Sequence, residues 1–138
     1  TPTNQASLPI APTQAFTIAV WFKRNAPTSS YEPLFSKGDI VGTKQVAMFT
    51  SGGKIVASVG GNTVSSDAVL CDGNWHLLVL ANENIGGTWK TRLYVDGSAT
   101  LTEANSGTST STANFRIGRS TGGGDYYYGL LDDFRVYQ

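Results

Sequence analysis

Apolar and polar residues alternate along most of this chain, which is the spacing of β-strands rather than of amphipathic helices. The clearest example runs from Phe16 to Lys23, where every second side chain is large and apolar. Ala19 and Trp21 make the opposite side of that segment partly apolar as well. A strand with two apolar sides is expected in the middle of a sheet or beneath a cover.

Ten segments of this kind are separated by clusters of Gly, Asn, Asp and Ser, which is typical of an all-β sandwich. We predict strands at Phe16–Lys23, Pro33–Ser36, Gln45–Thr50, Lys54–Val59, Asn62–Ser65, Trp75–Ala81, Thr88–Val95, Ala99–Glu103, Phe115–Gly118 and Leu130–Tyr137. Glycine pairs at 52–53 and 60–61, and the Asp-Gly pair at 96–97, favour hairpin turns because they tolerate positive backbone angles. The predicted fold is an antiparallel β-sandwich, a jelly roll of two stacked sheets, with a mobile polar loop at 104–112.

The composition limits the classes of partner. The chain has 138 residues, 40% of them apolar, which suits one well-covered core, so we expect a single domain over residues 1–138. It starts at Thr1 without a signal-like segment, and we expect it to be excised from a larger protein. Ten basic residues balance ten acidic ones, which argues against nucleic acid, and no apolar run suits membrane insertion. Low charge with abundant Ser, Thr, Gly and Asn is typical of an extracellular or virion-surface protein.

Few side chains are suited to catalysis, and we expect no enzymatic activity. His76 is the only histidine and alternates with core positions, so we expect a half-buried structural imidazole. Glu32, Glu83 and Glu103 are isolated in or beside loops, whereas a glycosidase needs two carboxyl groups about 5 to 10 Å apart. Cys71 has no partner for an intramolecular disulfide, and its apolar neighbours predict a small core residue.

Four blocks of sequence, in this order, resemble the laminin-G-like, concanavalin-A-like jelly-roll domains. They are FTIAVWFK, LFSKGD, GNWHLLVLA followed by TRLYVDGS, and FRIGRS leading to YYYGLLDDFRVYQ, and together they extend from about Phe16 to Gln138. The resemblance implies two sheets packed face to face, with a shallow groove on one sheet and recognition loops at its rim. Relatives bind glycans, proteins or steroids, and some are glycosidases. The alternating Glu, Asp, Glu motif of the active relatives is absent from this sequence.

The resemblance also implies, at most, one structural calcium ion, which such domains hold through carboxylates and carbonyls at the sheet rim. The alternative residues for it are Asp39 of the SKGD block, Asp125 after the glycines, or Asp132 with its neighbour Asp133. Only Asp125 stands where the pentraxin branch has an acidic cluster, which argues against a double site. The alternative for Asp132 and Asp133 is a buried carboxylate that accepts backbone hydrogen bonds. On a regular strand the two would face opposite sides, so only a bulge would bring them together.

Exposed aromatic rings beside polar groups are typical of a sugar site, because sugars present apolar C–H faces as well as hydroxyls. The residues that we predict to contact a ligand are Asp125, Tyr126, Tyr128, Trp89 and Arg119. The alternative for the tyrosines is that their rings anchor the loop against the sandwich edge while their hydroxyls stay wet. Trp21 and Trp75 lie in segments that match core strands, and we expect both to be packed inside.

The expected function is a non-catalytic carbohydrate-binding or adhesion module of an extracellular or virion-surface protein. The alternative is a protein-interaction or structural assembly module of a larger surface protein or a phage tail component. The expected partners are therefore a glycan or another protein, together with neighbouring domains of the parent chain. A glycan site predicts exposed aromatics beside Asp and Asn, whereas an assembly module predicts an exposed apolar patch of several hundred Å².

Overall fold

Ten strands form where the apolar alternation predicts them. The computed structural model describes residues 8, 10–26, 31–40, 44–121 and 124–138, with the backbone alone at 44 and 99–102. The strands are β1 (Phe16–Lys23), β2 (Glu32–Gly38), β3 (Lys44–Ser51), β4 (Lys54–Val59), β5 (Asn62–Ser65), β6 (Trp75–Ile85), β7 (Thr88–Val95), β8 (Ser98–Asn105), β9 (Arg116–Ile117) and β10 (Leu130–Tyr137). Half of them have the predicted bounds, and the others start or end a few residues away.

The strands make two antiparallel sheets of five strands each. Sheet 1 has the order β10-β1-β6-β7-β8, and sheet 2 has the order β5-β4-β3-β2-β9. The first and last strands are therefore neighbours in sheet 1, with β10 at its edge. This topology confirms the predicted antiparallel sandwich. None of the described segments is a helix long and apolar enough to cross a membrane.

The core fills the space between the sheets, because each strand turns its more apolar side inward. Fully buried side chains from the two sheets meet there, among them Ile18, Val20, Phe22, Leu78, Leu80 and Leu93 from sheet 1 and Leu34, Phe35, Val46, Met48 and Ile55 from sheet 2. Phe35, Phe115 and Phe134 pack with ring centroids 5.5–5.7 Å apart. Cys71 is buried in this core as predicted, and burial raises the pKa of its thiol.

The outward side of sheet 2 is covered by the chain itself. Ile40, in the connection after β2, packs against Ala47, Phe49 and Val56 on that side. The ring of Tyr31 meets Phe49 edge-on, with the centroids 5.6 Å apart. Strand β2 is therefore buried along its whole length, on both of its sides.

The outward side of sheet 1 is open. Its apolar side chains, here called the open face, are Trp21, Trp75, Leu77, Val79, Tyr94 and Leu130. The strand register sets Trp21 beside Leu77 and puts Lys23 between Leu130 and Trp75. Trp21 is 37% exposed and Trp75 is 42% exposed. The prediction that both tryptophans pack inside is therefore wrong. Because β1 has two apolar sides, the pattern alone does not decide which side turns inward.

The polar segment after β8 is tied down along its length, contrary to the expectation of a mobile loop. The N–H groups of Gly107 and Ser109 each donate to a carbonyl at the β4–β5 turn at 2.9 Å. The N–H of Ser111 donates to the side chain of Gln45 at 2.7 Å. A Cβ on Gly107 would lie 2.1 Å from the carbonyl oxygen of Gly60, so this close approach requires glycine.

Candidate functional site

The tyrosine loop, here the described residues 118–121 and 124–129, lies between β9 of sheet 2 and β10 of sheet 1. Arg119 and Tyr126 form an antiparallel bridge across it. The N–H of Ser120 donates to the carbonyl of Asp125 at 3.1 Å. These bonds hold the two arms of the loop together and limit its freedom.

Tyr127 points inward and anchors the loop to sheet 1. Its hydroxyl donates to the carbonyl of Lys23 at 2.8 Å, and its N–H donates to the carbonyl of Gly118 at 3.0 Å. Gly129 makes this approach possible, since a Cβ there would lie 2.3 Å from the Tyr127 hydroxyl oxygen. Burial raises the pKa of the Tyr127 phenol well above its usual range. One ring of the three thus has the anchoring role that the sequence left open.

A buried ion pair lies beneath the loop. Arg24, just after β1, donates from Nε and Nη2 to the two carboxylate oxygens of Glu32, both at 2.9 Å. Such two-point charged hydrogen bonds are among the stronger ones in proteins, and the bond to Glu32 raises the pKa of Arg24. The carboxylate also accepts the N–H of Tyr128 at 3.3 Å. The pair therefore connects both sheets to the loop.

Tyr126 and Tyr128 turn outward, and their side chains are 46% and 69% exposed. The guanidinium of Arg119 lies 5.5 Å from the centre of the Tyr126 ring, in a cation–π contact. Within the described residues, Nε of Arg119 and Oγ of Ser120 are buried without a hydrogen-bond partner. Asp125 is half-buried in the same arm. Four of the five predicted ligand residues therefore share this loop.

Trp89, the fifth predicted ligand residue, lies at the other end of sheet 1. It pairs with Asn84 near the start of β1, whereas the tyrosine loop is bonded to Lys23 at the end of that strand. The eight residues of β1 separate the two ends by roughly 23 Å. Trp89 instead lines a cleft with Gln14 and Gln138. Trp89 therefore lies apart from the other four, because strand order, which the sequence does not reveal, separates them, and its contact with a ligand stays a prediction.

The candidate calcium ligands lie in different places. Asp39 follows the far end of β2, Asp125 lies in the tyrosine loop, and Asp132 lies beside Trp21 on β10. Among the residues that the structure describes, no group of three or more His, Cys, Asp or Glu side chains is placed to hold a metal ion. Calcium requires six to eight oxygen ligands. The candidate carboxylates therefore do not form, within the described residues, a cluster around one calcium ion.

A β-bulge puts both Asp132 and Asp133 on the outward side of sheet 1. Leu131 and Phe134 both pack inward, so two residues instead of one separate them. The register of β1 and β10 shifts here, and Asp133 has a φ of 47°. Asp132 accepts the N–H of Asp133 at 2.8 Å, and Asp133 pairs with Arg135 at 2.7 Å. A predicted backbone hydrogen bond is present, but the expected burial of these carboxylates is wrong.

His76 is held between two carboxylates at the tyrosine end of sheet 1. Its Nδ1 lies 2.7 Å from Asp96 and its Nε2 lies 3.1 Å from Asp72. Burial opposes charging of the ring, but the two carboxylates outweigh it and raise the pKa of His76. The N–H of Asn74, and then His76, lower the pKa of Asp72 to about 2. A neutral imidazole donates from only one nitrogen, so this geometry favours the imidazolium and a structural role.

The sequence pattern does not single out two polar residues that position these regions. Asn82 follows Leu78 and Leu80 at an inward position of β6, and it is almost completely buried. A polar residue at such a position is the signal that could reveal it. No comparable signal marks Glu32, because its partner Arg24 lies eight residues earlier, across the connection between β1 and β2.

A family model described as the concanavalin A-like lectin/glucanases superfamily, of the laminin G type, matches residues 2–138. The chain belongs to this superfamily. No curated protein matches it. A native heptameric SAP-like pentraxin from Limulus polyphemus has a TM-score of 0.61 and 18% identity, over 88% of this chain and 63% of its own. A tryptophan-to-alanine mutant of a protein named HCR/D has a TM-score of 0.60 and 11% identity, over 90% of this chain and 34% of its own.

The superfamily assignment confirms the resemblance carried by the four sequence blocks. At these identities, the two solved structures show a shared fold alone, and the chain spans less than two thirds of either. Members of one fold superfamily differ widely in what they bind. The function of this lectin-like domain must therefore be argued from its own exposed residues.

Proposed function

We propose that the domain is a non-catalytic carbohydrate-binding or adhesion module that binds a glycan at the tyrosine loop. The observation that carries this proposal is the outward display of Tyr126 and Tyr128 on a loop whose middle ring, Tyr127, is bonded to sheet 1. Exposed aromatic rings stack on the apolar faces of sugars. The hydrogen bonds of the loop hold its described residues before a ligand binds, so those residues lose little conformational entropy on binding.

Polar groups suited to sugar hydroxyls accompany the two rings. Asp125 offers a carboxylate in the same arm, and the guanidinium of Arg119 lies against the Tyr126 ring. Leu130 begins β10 directly after the loop, in the same row of side chains as Trp75. A glycan longer than one residue would therefore extend from the loop onto the open face.

The absence of catalysis is part of the proposal, and the placement of the glutamates supports it. Glu32 is paired with Arg24 beneath the loop. Glu83 and Glu103 share Arg92 in a network of exposed ion pairs. Each of the three glutamates is thus engaged with a cation, whereas glycoside hydrolysis needs two carboxyl groups that act together on the sugar.

The setting of the module is likewise proposed to be extracellular or at a virion surface, next to other domains of a larger protein. The low proportion of charged residues and the abundance of Ser, Thr, Gly and Asn support this setting. Adhesion there would depend on the same glycan contacts. Calcium is not expected to contribute, because the described carboxylates do not converge on one point.

A second candidate function is protein interaction or structural assembly, and the open face favours it. Two tryptophans and Leu130 are exposed there, on a sheet face without a cover, whereas the outward side of sheet 2 is covered. Exposed apolar patches of this kind often mark interfaces. In this version the partner would be a neighbouring domain or subunit of a surface protein or a phage tail component.

The first experiment is a glycan array probed with the domain in calcium buffer and again with a chelator. We expect selective binding that survives the chelator. Binding that is lost with the chelator would contradict the metal-independent site. A blank array under both conditions would contradict the glycan proposal and leave the assembly function as the better one.

The second experiment locates the site. Tyr128→Ala should weaken binding of the array-selected glycan by about 1 to 3 kcal/mol, by analogy with bases stacked on aromatic rings, without changing the melting temperature. Ile85→Ala is the matched control, because Ile85 is also exposed but lies at the opposite end of sheet 1. Equal affinities for both variants would remove the glycan from the tyrosine loop.

A further inference from the structure

Two arginines stand at the start of the tyrosine loop, Arg116 in β9 and Arg119 in the loop itself. The other three arginines of the chain, Arg24, Arg92 and Arg135, each form an ion pair with a carboxylate. Within the residues that the structure describes, no ion pair engages Arg116 or Arg119. The arginine charge that is not already neutralised there is therefore concentrated on one short stretch of chain.

A buried serine brings these two arginines to the same place. Ser36 of β2 is the register partner of Arg116, and its hydroxyl donates to the carbonyl of Arg119 at 3.3 Å. Ser36 is fully buried, so sheet 2 fixes the backbone at both arginines. Two like charges held near each other repel, and an anion bound beside them relieves that repulsion.

The guanidinium of Arg119 is oriented before any ligand binds. It lies 5.5 Å from the centre of the Tyr126 ring, and the backbones of the same two residues form the bridge across the loop. Its Nε is buried, so the donors that a ligand can reach are those of the two terminal nitrogens. A planar pair of donors of this kind matches two oxygens of a carboxylate or a sulfate group.

The carboxylates around the loop leave this charge in place. Glu32 already binds Arg24 at two points, and Asp125 forms no ion pair with Arg119 among the described residues. Two arginines and one aspartate give this part of the loop a local charge of plus one, although the whole chain has a net charge of zero. Complementary charge of this kind distinguishes an acidic ligand from a neutral one.

We infer that the tyrosine loop selects acidic saccharides, with Arg119 binding a carboxylate or sulfate group of the sugar. This inference rests on the proposed function, because it names the class of glycan that binds at the same loop. Arg119 determines the specificity, Tyr126 is the positioning residue for its guanidinium, and Arg116 adds attraction from β9. The exposed ring of Tyr128 stacks on the apolar face of the sugar.

Saccharides that differ only in charge test this selectivity. The domain is titrated by calorimetry with three pairs: sulfated lactose and lactose, sialyllactose and its methyl ester, and trigalacturonic acid and its methyl ester. The first pair tests a sulfate, and the other two test a carboxylate. We expect the acidic member of at least one pair to bind about tenfold more tightly than its neutral partner. The preference should shrink in about 500 mM salt, because salt screens exposed charges.

Two variants of Arg119 and one matched control locate the preference. Arg119→Gln removes the charge and should abolish the preference, whereas Arg119→Lys keeps the charge without the planar pair of donors and should retain only part of it. A merely structural role for Arg119 would weaken both members of a pair alike. Arg135→Gln is the control, because it removes the same group from a place where Asp133 already neutralises it, and it should keep the full preference.

The outcomes separate this inference from the proposed function. Equal affinity for both members of every pair would overturn the selectivity and leave a glycan site at the loop. A preference that persists in Arg119→Gln would overturn the inference, because the acidic group would then be bound elsewhere. Failure of all three pairs to bind up to about 10 mM, while the array selects a neutral glycan, would overturn the inference alone. A blank array would overturn both.

Discussion

The two ends of sheet 1 present aromatic rings in opposite ways. At the tyrosine end, Tyr126 and Tyr128 project from a loop whose middle tyrosine, Tyr127, is hydrogen-bonded to sheet 1. At the opposite end, here called the cleft end, Trp89 lies on the inward side of the sheet beside Gln14, and Tyr137 lies on the outward side beside Thr17. The tyrosine loop is held by the Tyr127 hydroxyl and by the Arg24–Glu32 ion pair. At the cleft end the buried amide of Asn82 holds the segment before β1.

The buried polar groups that hold the two ends differ in charge, and this difference can be tested. Glu32 is a buried carboxylate that needs its cation, whereas Asn82 is a neutral amide that needs only hydrogen-bond partners. Losing the partner of a buried charge is expected to destabilise a protein more than losing a neutral hydrogen bond. The tyrosine end should therefore be the more fragile of the two.

The largest effect is expected at the ion pair. Arg24→Met leaves the Glu32 carboxylate buried without its main partner and should lower the free energy of unfolding by about 2 to 3 kcal/mol. A value below the usual range of about 3 to 5 kcal/mol applies, since the Arg24 side chain keeps 18% of its exposure. Urea unfolding measures the change. Arg92→Met, which removes a cation from the exposed network of the cleft end, should change stability far less. A comparable loss in both variants would contradict the proposed asymmetry.

A smaller effect is expected from the amide at the cleft end. Asn82→Ala removes the donor shared by two backbone carbonyls and should lower the free energy of unfolding by about 1 to 2 kcal/mol. The segment before β1 should then lose protection in amide hydrogen exchange, while the tyrosine loop keeps its own. Asn84→Ala is the control, because that side chain is exposed and accepts only the N–H of Gly87. Unchanged exchange there would show that Asn82 does not hold this segment.

The smallest effect is expected from pH, again at the tyrosine end. The raised pKa of His76 means that its stabilising contribution is complete below its ordinary value of 6.5 and is lost as the pH rises through the folded value. The lowered pKa of Asp72 acts in the other direction, and its contribution is lost only as the pH falls towards about 2. Melting temperatures should therefore decline by a few degrees between pH 6 and about pH 8.5. The upper limit is kept below 9.0, which is the ordinary pKa of the Cys71 thiol.

His76→Gln tests the origin of this decline. Glutamine does not titrate, so the variant should melt at nearly the same temperature across that pH range. An equal decline in the parent and the variant would assign the effect to another group. The cleft end, whose ion pairs do not include a histidine, should show no corresponding change in its hydrogen exchange.

The fold was largely predictable from the sequence, because alternation and turn glycines act locally. Strands β1, β4 and β7 begin and end where the pattern of apolar residues predicts. The orientation of Trp21 and Trp75 was not predictable, because β1 and β6 each have two apolar sides and only the packing of the sandwich decides which side is buried. The burial of Asp132 and Asp133 was predicted wrongly for a related reason. The bulge that turns both side chains outward depends on how β10 packs, and the local sequence does not specify that packing.

The candidate sites were predictable only in part. The tyrosine loop is a contiguous segment, so its rings could be assigned from the order of residues alone. The cleft at Trp89 joins the segment before β1 with the start of β7 and with Gln138. Trp89 could be suspected as an exposed ring, but its neighbour Gln14 is brought to it by the tertiary fold, which no local pattern specifies.

The bulge at Asp133 also affects how copies of the domain behave when they are crowded together. β10 is the outermost strand of sheet 1, and an exposed outer strand is a template onto which a strand from another molecule can polymerise. The bulge and the left-handed Asp133 interrupt the regular spacing of its backbone groups, and Asp132, Asp133 and Arg135 place charges beside them. Many such domains can therefore lie close together while each stays a separate folded unit, because the bulge and the charges of β10 hinder aggregation through this strand.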